Sequence, residues 1–511
     1  MESLRDRLSL GGPLRALGPP VAAAAGLAVL TFSILTLPVP AQLALVASFI
    51  AVSATFIRPT LMLLGYFLLR ILMDLLWWVP GRIGSLNVME AYTGGVTVLV
   101  AAVLLLEFRR VERHPCLPAF LPYVAVLAIG GLRNLEVRSA AEIMARYVSP
   151  FIIMFLVSGL MNTRAWRRRF IVATTAVFAI PVVLSLFYLA QGQMTGHVLA
   201  GYHRLRGGYM NLHTHALSMV IIAALAAWWA LQTQDRAKRT GFALFAGAAA
   251  LCLYLTYVRT GIITLAVLVS VYLWVTGRRR LLLAGVLAGG VFILFSPSMQ
   301  DRFKDIILFF MPDQAVMARR KIGSGRWGIW SSAMAEYLRQ PLADIILGLG
   351  IGKHWLLTRA AFNPYSMASH GYVDAHSDYL TMTFQVGPIA TGSYLLMQAT
   401  AIRAGLAVYR NSPDKTSRQF AAFTIALMAG ATAANMVSNA YINRITQSWV
   451  VWGLSGLTFA EYLQLQREGL LSRKAKRRRG PLRSAPRGSA GTGPPQLAPQ
   501  VAPSPVTVEP G

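Results

Sequence analysis

The sequence predicts an all-α, polytopic integral membrane protein with about 12–14 transmembrane helices, and three observations carry that prediction. Of its 511 residues, 55% are hydrophobic and only 13% are charged, whereas charged residues alone supply about a quarter of an ordinary soluble chain. Runs long enough to cross a bilayer, roughly 20 apolar residues for about 30 Å of hydrocarbon, recur throughout the chain. The formal charge of +28 sits mostly in short segments between those runs and in the C-terminal tail. That distribution reads as topology and not as a nucleic-acid surface, because Lys and Arg accumulate in the cytoplasmic loops of membrane proteins. The two cysteines, Cys116 and Cys252, lie in separate segments and imply no disulfide framework.

The apolar runs fall near 21–38, 41–57, 59–79, 92–107, 118–132, 142–161, 170–190, 212–231, 241–258, 261–277, 281–297, 379–402, 418–437 and 445–463. Arg5, Arg7 and Arg15 before the first run are reminiscent of a signal peptide, but further spans follow and no small-residue cleavage site closes the run, so it is read as the first span. With residues 1–20 in the cytoplasm, the even-numbered junctions are inside. They carry Arg58, Arg109 with Arg110 and Arg113, Arg164 with Arg167 to Arg169, Arg236 with Lys238 and Arg239, and Arg278 to Arg280. Arg410, Lys415 and Arg418 mark the last inner loop.

The organisation expected is spans 1–11 over 21–297, a large extracytoplasmic loop over 298–378 with short amphipathic helices, spans 12–14 over 379–465, and a tail over 466–511. The tail is basic and then rich in Pro, Gly, Ala and Ser, which predicts disorder in the cytoplasm. Its basic run either anchors topology or lies against anionic lipid head groups. No internal repeat is found, which disfavours transporters built from duplicated halves. Arg70 and Asp74, four apart in the third span, share a helix face and are read as a structural pair. Arg146, at the start of the sixth span, either joins an outer anion site or snorkels to the interface.

Only the long loop can hold a small subdomain. In it Ile329, Trp330, Ala333, Met334, Tyr337 and Leu338 fall at helical spacing, after Arg326. Trp327 and Trp330 read as interfacial anchors. Pro341 ends the helix, and Gly348, Gly350 and Gly352 predict a flexible turn. The loop closes on Asp374, His376, Ser377 and Asp378, which run into the twelfth span with Gly387 and Pro388 near its start. Helix capping and proton transfer are both open readings of this stretch. A metal on Asp374, His376 and Asp378 is disfavoured, since their side chains diverge on a helix.

These motifs together resemble the bacterial O-antigen ligase and O-antigen or exopolysaccharide polymerase superfamily. The resemblance rests on Arg326 with Trp330, the glycine-rich turn between Pro341 and Gly352, and His376-Ser-Asp-Tyr-Leu followed by Gly387. Upstream it rests on Arg206-Gly-Gly-Tyr-Met-Asn211 and on Arg259-Thr-Gly261, similar to that family's Ser-Arg-Gly turn. It covers about residues 200 to 400. Ser377 stands where many relatives have Asn, and His213 and His215 replace the usual Pro and Asn, so these two histidines are left out of the catalytic set.

The resemblance implies a membrane glycosyltransferase of lipopolysaccharide or exopolysaccharide biosynthesis, in the inner membrane with both termini cytoplasmic. It implies transfer of glycan from an undecaprenyl-diphosphate-linked donor to a glycan or lipid-linked acceptor on the periplasmic face, with no metal or other cofactor and with inversion. His376 is implied as the base, with Arg326, and the diphosphate falls to Arg206, Arg259 and Arg326, whose guanidinium forks suit phosphate oxygens. Membrane lipids, a flippase and a chain-length regulator are the partners implied, and nucleic acid is not. The rival reading is a transporter or flippase of lipid-linked glycan or of a small anion, which predicts polar residues along a path through many spans. Polymerase and ligase are not separable on sequence.

Overall fold

The computed structural model of the chain describes residues 54–75, 82–83, 86–107, 111–133, 137–193, 203–297, 300, 326–353, 355–358, 375–442 and 444–471. The first span and most of the second, much of the long loop, Asp374 and the tail beyond 471 lie outside the described residues. The architecture is an all-α membrane protein. Its helices are α1 Pro59–Met73, α2 Val88–Leu106, α3 Leu117–Leu132, α4 Val137–Leu160, α5 Arg164–Ala190, α6 Leu212–Gln232, α7 Arg236–Leu255, α8 Arg259–Val275 and α9 Arg279–Phe295. In the long loop follow α10 Arg326–Tyr337, α11 Leu342–Leu347 and α12 Trp355–Thr358. After it come α13 Asp378–Asn411, α14 Lys415–Val437 and α15 Ile445–Arg467. A two-residue ribbon, Arg82–Ile83 against Leu86–Asn87, precedes α2.

Each of the expected third to fourteenth spans coincides with one of these helices. Among the described residues, α5, α6 and α14 are long and apolar enough by themselves to cross a membrane, and α1, α3, α8 and parts of α2 and α4 are shorter apolar helices. α4 begins at Val137, so Arg146 lies inside the helix and does not start it. α15 extends to Arg467, slightly past the expected start of the tail.

α15 is buried over most of its circumference, the mark of a central helix. Trp452 packs on Phe151 of α4 and Tyr394 of α13, with ring centroids 4.7 and 5.9 Å away. Apolar burial does not drive helices together within lipid, so close van der Waals packing of small residues has to. Gly456 shows this: a Cβ there would stand 2.8 Å from the Met154 carbonyl oxygen. The expected pair is formed, with Arg70 Nη1 2.8 Å from Asp74 Oδ1 and both side chains largely buried.

The glycine-rich turn of the long loop differs from expectation. It is docked, and the reason is the break in α13, where Gly387 takes φ 82° and Pro388 follows without an N–H. The break frees the Phe384 and Gln385 carbonyls, which accept the N–H groups of Leu349 and Gly350 at 2.9 and 3.0 Å. Contact is close enough that a Cβ on Gly348 would lie 2.4 Å from the Gln385 carbonyl. Arg133 at the end of α3 secures the same turn through Asp344 and the Gly348 carbonyl. Tyr337 donates to the Ile345 and Thr383 carbonyls. Burial, and after it the Asp344 carboxylate, pushes its phenol up to about 12, so it remains a donor.

Candidate functional site

The site assembles at one end of the bundle, where α6, α8, α13 and α15 begin and α14 stops. Polar caps set the starts of α6 and α13. Asn211 accepts the N–H groups of His213 and Thr214 at 2.8 and 3.4 Å. Ser377 accepts that of Leu380 at 3.4 Å and donates its hydroxyl to the Asn435 carbonyl. Asp378, 1% exposed, faces away from its own helix. Its Oδ2 accepts three backbone N–H groups, from Ala440, Tyr441 and Ile442, at 2.8, 3.0 and 3.1 Å. That carboxylate therefore clamps the linker between α14 and α15 against the start of α13.

His376 is held between fixed neighbours. Its backbone is in the left-handed region, φ 50°, a conformation that costs a residue with a Cβ about 1 kcal/mol or more and gathers at functional sites. Ala375 before it is fully buried, and its carbonyl accepts the Trp330 indole N–H at 2.6 Å. Trp330 is thus a strut for the histidine segment, whereas Trp327, 56% exposed, is the outward-facing tryptophan. The imidazole itself is half-buried.

Arg326 reaches across from α10 to donate to the Val437 carbonyl at the end of α14. Arg444, immediately before α15, donates to Thr214 Oγ1 of α6 at 2.8 Å. Arg204 donates Nε–H to the Thr256 carbonyl at 2.8 Å. These three guanidiniums and His376 all act electrostatically on His213, at the start of α6. The structure therefore brings the predicted Arg326 and His376 into one cluster, with Arg204, Arg444 and His213 as additional members, all half-buried.

Arg206 and Arg259 form the adjoining wall and are not among the charges acting most on His213. Leu205 donates its N–H to the Leu255 carbonyl at 2.9 Å, which ties the segment bearing Arg204 and Arg206 to the turn before Arg259. Gly207, at φ 57°, leaves no room for a side chain: a Cβ would sit 2.2 Å from the ring of His215. His215 is fully buried, with Nε2 3.4 Å from Ser185 Oγ, and supports this wall from below. Leaving His215 out of the catalytic set agrees with its burial, while His213 lies within the cluster.

Two cations were overlooked on sequence. Arg444 carried a readable signal, since it immediately precedes the last expected span, away from the basic junctions such as Arg164 to Arg169. Arg204 carried none beyond its closeness to Arg206. Among the described residues, no three His, Cys, Asp or Glu side chains converge as metal ligands.

Guanidiniums from three elements thus surround a half-buried imidazole at one end of an all-α membrane protein. Residues 242–395 match the family model described as O-antigen ligase, which bears out the resemblance to the O-antigen ligase and polymerase superfamily. The matched segment contains Arg259, Arg326 and His376, while Arg204, Arg206 and Arg444 lie outside it. The match indicates a membrane enzyme of the ligase or polymerase type. No curated protein matches the chain.

Proposed function

We propose that the protein transfers glycan from an undecaprenyl-diphosphate-linked donor to a hydroxyl of an acceptor sugar at the periplasmic face of the inner membrane, without metal and with inversion. The observation that carries the reading is the convergence of Arg326, Arg204, Arg444 and His376 on the imidazole of His213. In the step proposed, His376 takes the acceptor hydroxyl proton while that oxygen bonds to the anomeric carbon. The bond from that carbon to the phosphate oxygen breaks, and the diphosphate leaves with the electron pair. Arg326, with Arg206 and Arg259 on the adjoining wall, meets the charge that grows on the leaving group, an interaction strongest where the cations are already in place.

The test is complementation of a deletion strain with wild type and His376→Ala, reading surface glycan by gel. Loss of the chain-length ladder with single repeats retained identifies a polymerase. Loss of all attached glycan, with lipid-linked chains accumulating, identifies a ligase. Full activity of His376→Ala at normal protein levels rules out the base assignment.

A further inference from the structure

At the opposite end of the same helices lies a second cationic site that the reaction does not use. α6 has 21 residues, so at 1.5 Å per residue its two ends are about 30 Å apart. A cavity of about 360 Å³ opens there between the starts of α5 and α14 and the ends of α6 and α15. Its rim carries Arg164 and Arg168, both exposed, and Arg167, which is buried. Arg167 is matched by Glu461, with Nη2 to Oε2 at 2.6 Å. The other carboxylate on the cavity, Asp414, is occupied as the cap of α14, accepting the N–H and hydroxyl of Ser417 at 3.0 and 2.9 Å. Arg164 also acts electrostatically on Asp414, and neither Arg164 nor Arg168 closes to a direct salt bridge among the described residues.

The floor differs from the rim. Ile171, Phe420 and Leu457 make it apolar, and Trp228 lines it. Trp228 is 3% exposed, its ring is packed on Trp229 and Phe420, and its Nε1–H has no hydrogen-bond partner among the described residues. An unmet buried donor is costly, and a buried indole N–H ordinarily finds an acceptor. The cavity thus offers exposed guanidiniums outside, an orphan donor inside and an apolar surface between them. Those are the complements of an anionic headgroup, its ester oxygens and the start of an acyl chain.

We propose that this cavity binds the headgroup of an anionic glycerophospholipid. Arg164 and Arg168 hold the phosphate, and Trp228 donates to an ester oxygen deeper in.

The test uses the full-length protein, purified and delipidated in detergent, with thermal unfolding as the readout on adding back phosphatidylglycerol, phosphatidylcholine or inorganic phosphate. Phosphatidylglycerol is expected to raise the melting temperature by roughly 3–5 °C, as preferential binding to the folded state requires, and the other two by clearly less. Arg164→Gln/Arg168→Gln loses the selective rise. Trp228→Phe keeps the packing, melts no lower than wild type without lipid, and gains less from phosphatidylglycerol. An equal rise with phosphate alone means a simple anion site and overturns the lipid assignment. Undiminished selectivity in the double variant, or an undiminished gain in Trp228→Phe, overturns the site.

Discussion

Asp378→Ala tests how the active end is held together. Ala440, Tyr441 and Ile442, whose N–H groups the carboxylate accepts, are each 3% exposed or less, so water does not readily replace it. Hydrogen bonds to a charged acceptor contribute about 1.5–3 kcal/mol each, and buried donors left unmet cost about 1–3 kcal/mol. Three such bonds would sum to about 4.5–9 kcal/mol; relaxation of the linker lowers this, and about 3 kcal/mol is the working value. Asp378→Asn keeps a carbonyl acceptor and should cost less. Thermal unfolding in detergent, followed by tryptophan fluorescence, reads the loss, and the fully buried Trp449 and Trp452 stand just beyond the clamped linker. A fall of about 5 °C or more is expected for the alanine variant. The same linker carries Arg444, so complementation should fail as well. A melting temperature within about 1 °C of wild type would refute the clamp.

Four further substitutions probe three separate parts of the structure. Arg326→Lys and Arg444→Lys keep the charge but not the planar fork, and each should reduce glycan transfer at least about tenfold with normal protein levels; wild-type activity of both would leave them a structural role only. Gly387→Ala places a Cβ 2.0 Å from the Ile346 carbonyl oxygen at a positive φ, so the glycine-rich turn must undock, and limited proteolysis should cut near residues 341–353 faster than in wild type. His114, in the connection between α2 and α3, is fully enclosed, and burial lowers its pKa to about 3. The unfolded chain binds this proton near pH 6.5 and the folded one does not. Stability is therefore undiminished above that pH and falls as the solution is acidified through the window from about 6.5 to 3, by about 2 kcal/mol between pH 8 and pH 5. His114→Leu should flatten that part of the pH profile of the melting temperature.

The helices were legible because hydrophobic length is a local property: each expected span from 59–79 to 445–463 has its helix. Arg70 with Asp74, four apart on one face, was legible for the same reason. The docking of the loop was not. Gly348, Gly350 and Gly352 read as a flexible turn because glycine by itself signals freedom, and the carbonyls they meet at Phe384 and Gln385 are exposed only by the break at Gly387, more than 30 residues later in the chain. Asp378 likewise looks like a cap until the fold brings residues 440–442 to it. His376 and Arg326 could be picked out by motif, but their meeting depends on the ends of α13 and α14, which no spacing encodes.

The cluster has a consequence for how charge would be managed in the proposed transfer. Arg204, Arg326 and Arg444 come from a connecting segment, a loop helix and the start of the last helix, so no single element can assemble them. Each is also steered by a neutral acceptor on another element: the Thr256 carbonyl, the Val437 carbonyl and Thr214 Oγ1. Bonds of that kind orient a guanidinium without placing a negative charge beside it. The Asp378 clamp and the docked glycine turn tie together elements around this cluster through long-range bonds. In the proposed transfer, the charge that grows on the diphosphate as the sugar departs would meet donors already oriented. The substitutions at Asp378 and Gly387 should therefore lower activity more than their losses of stability alone would predict, because they loosen the frame that orients these donors.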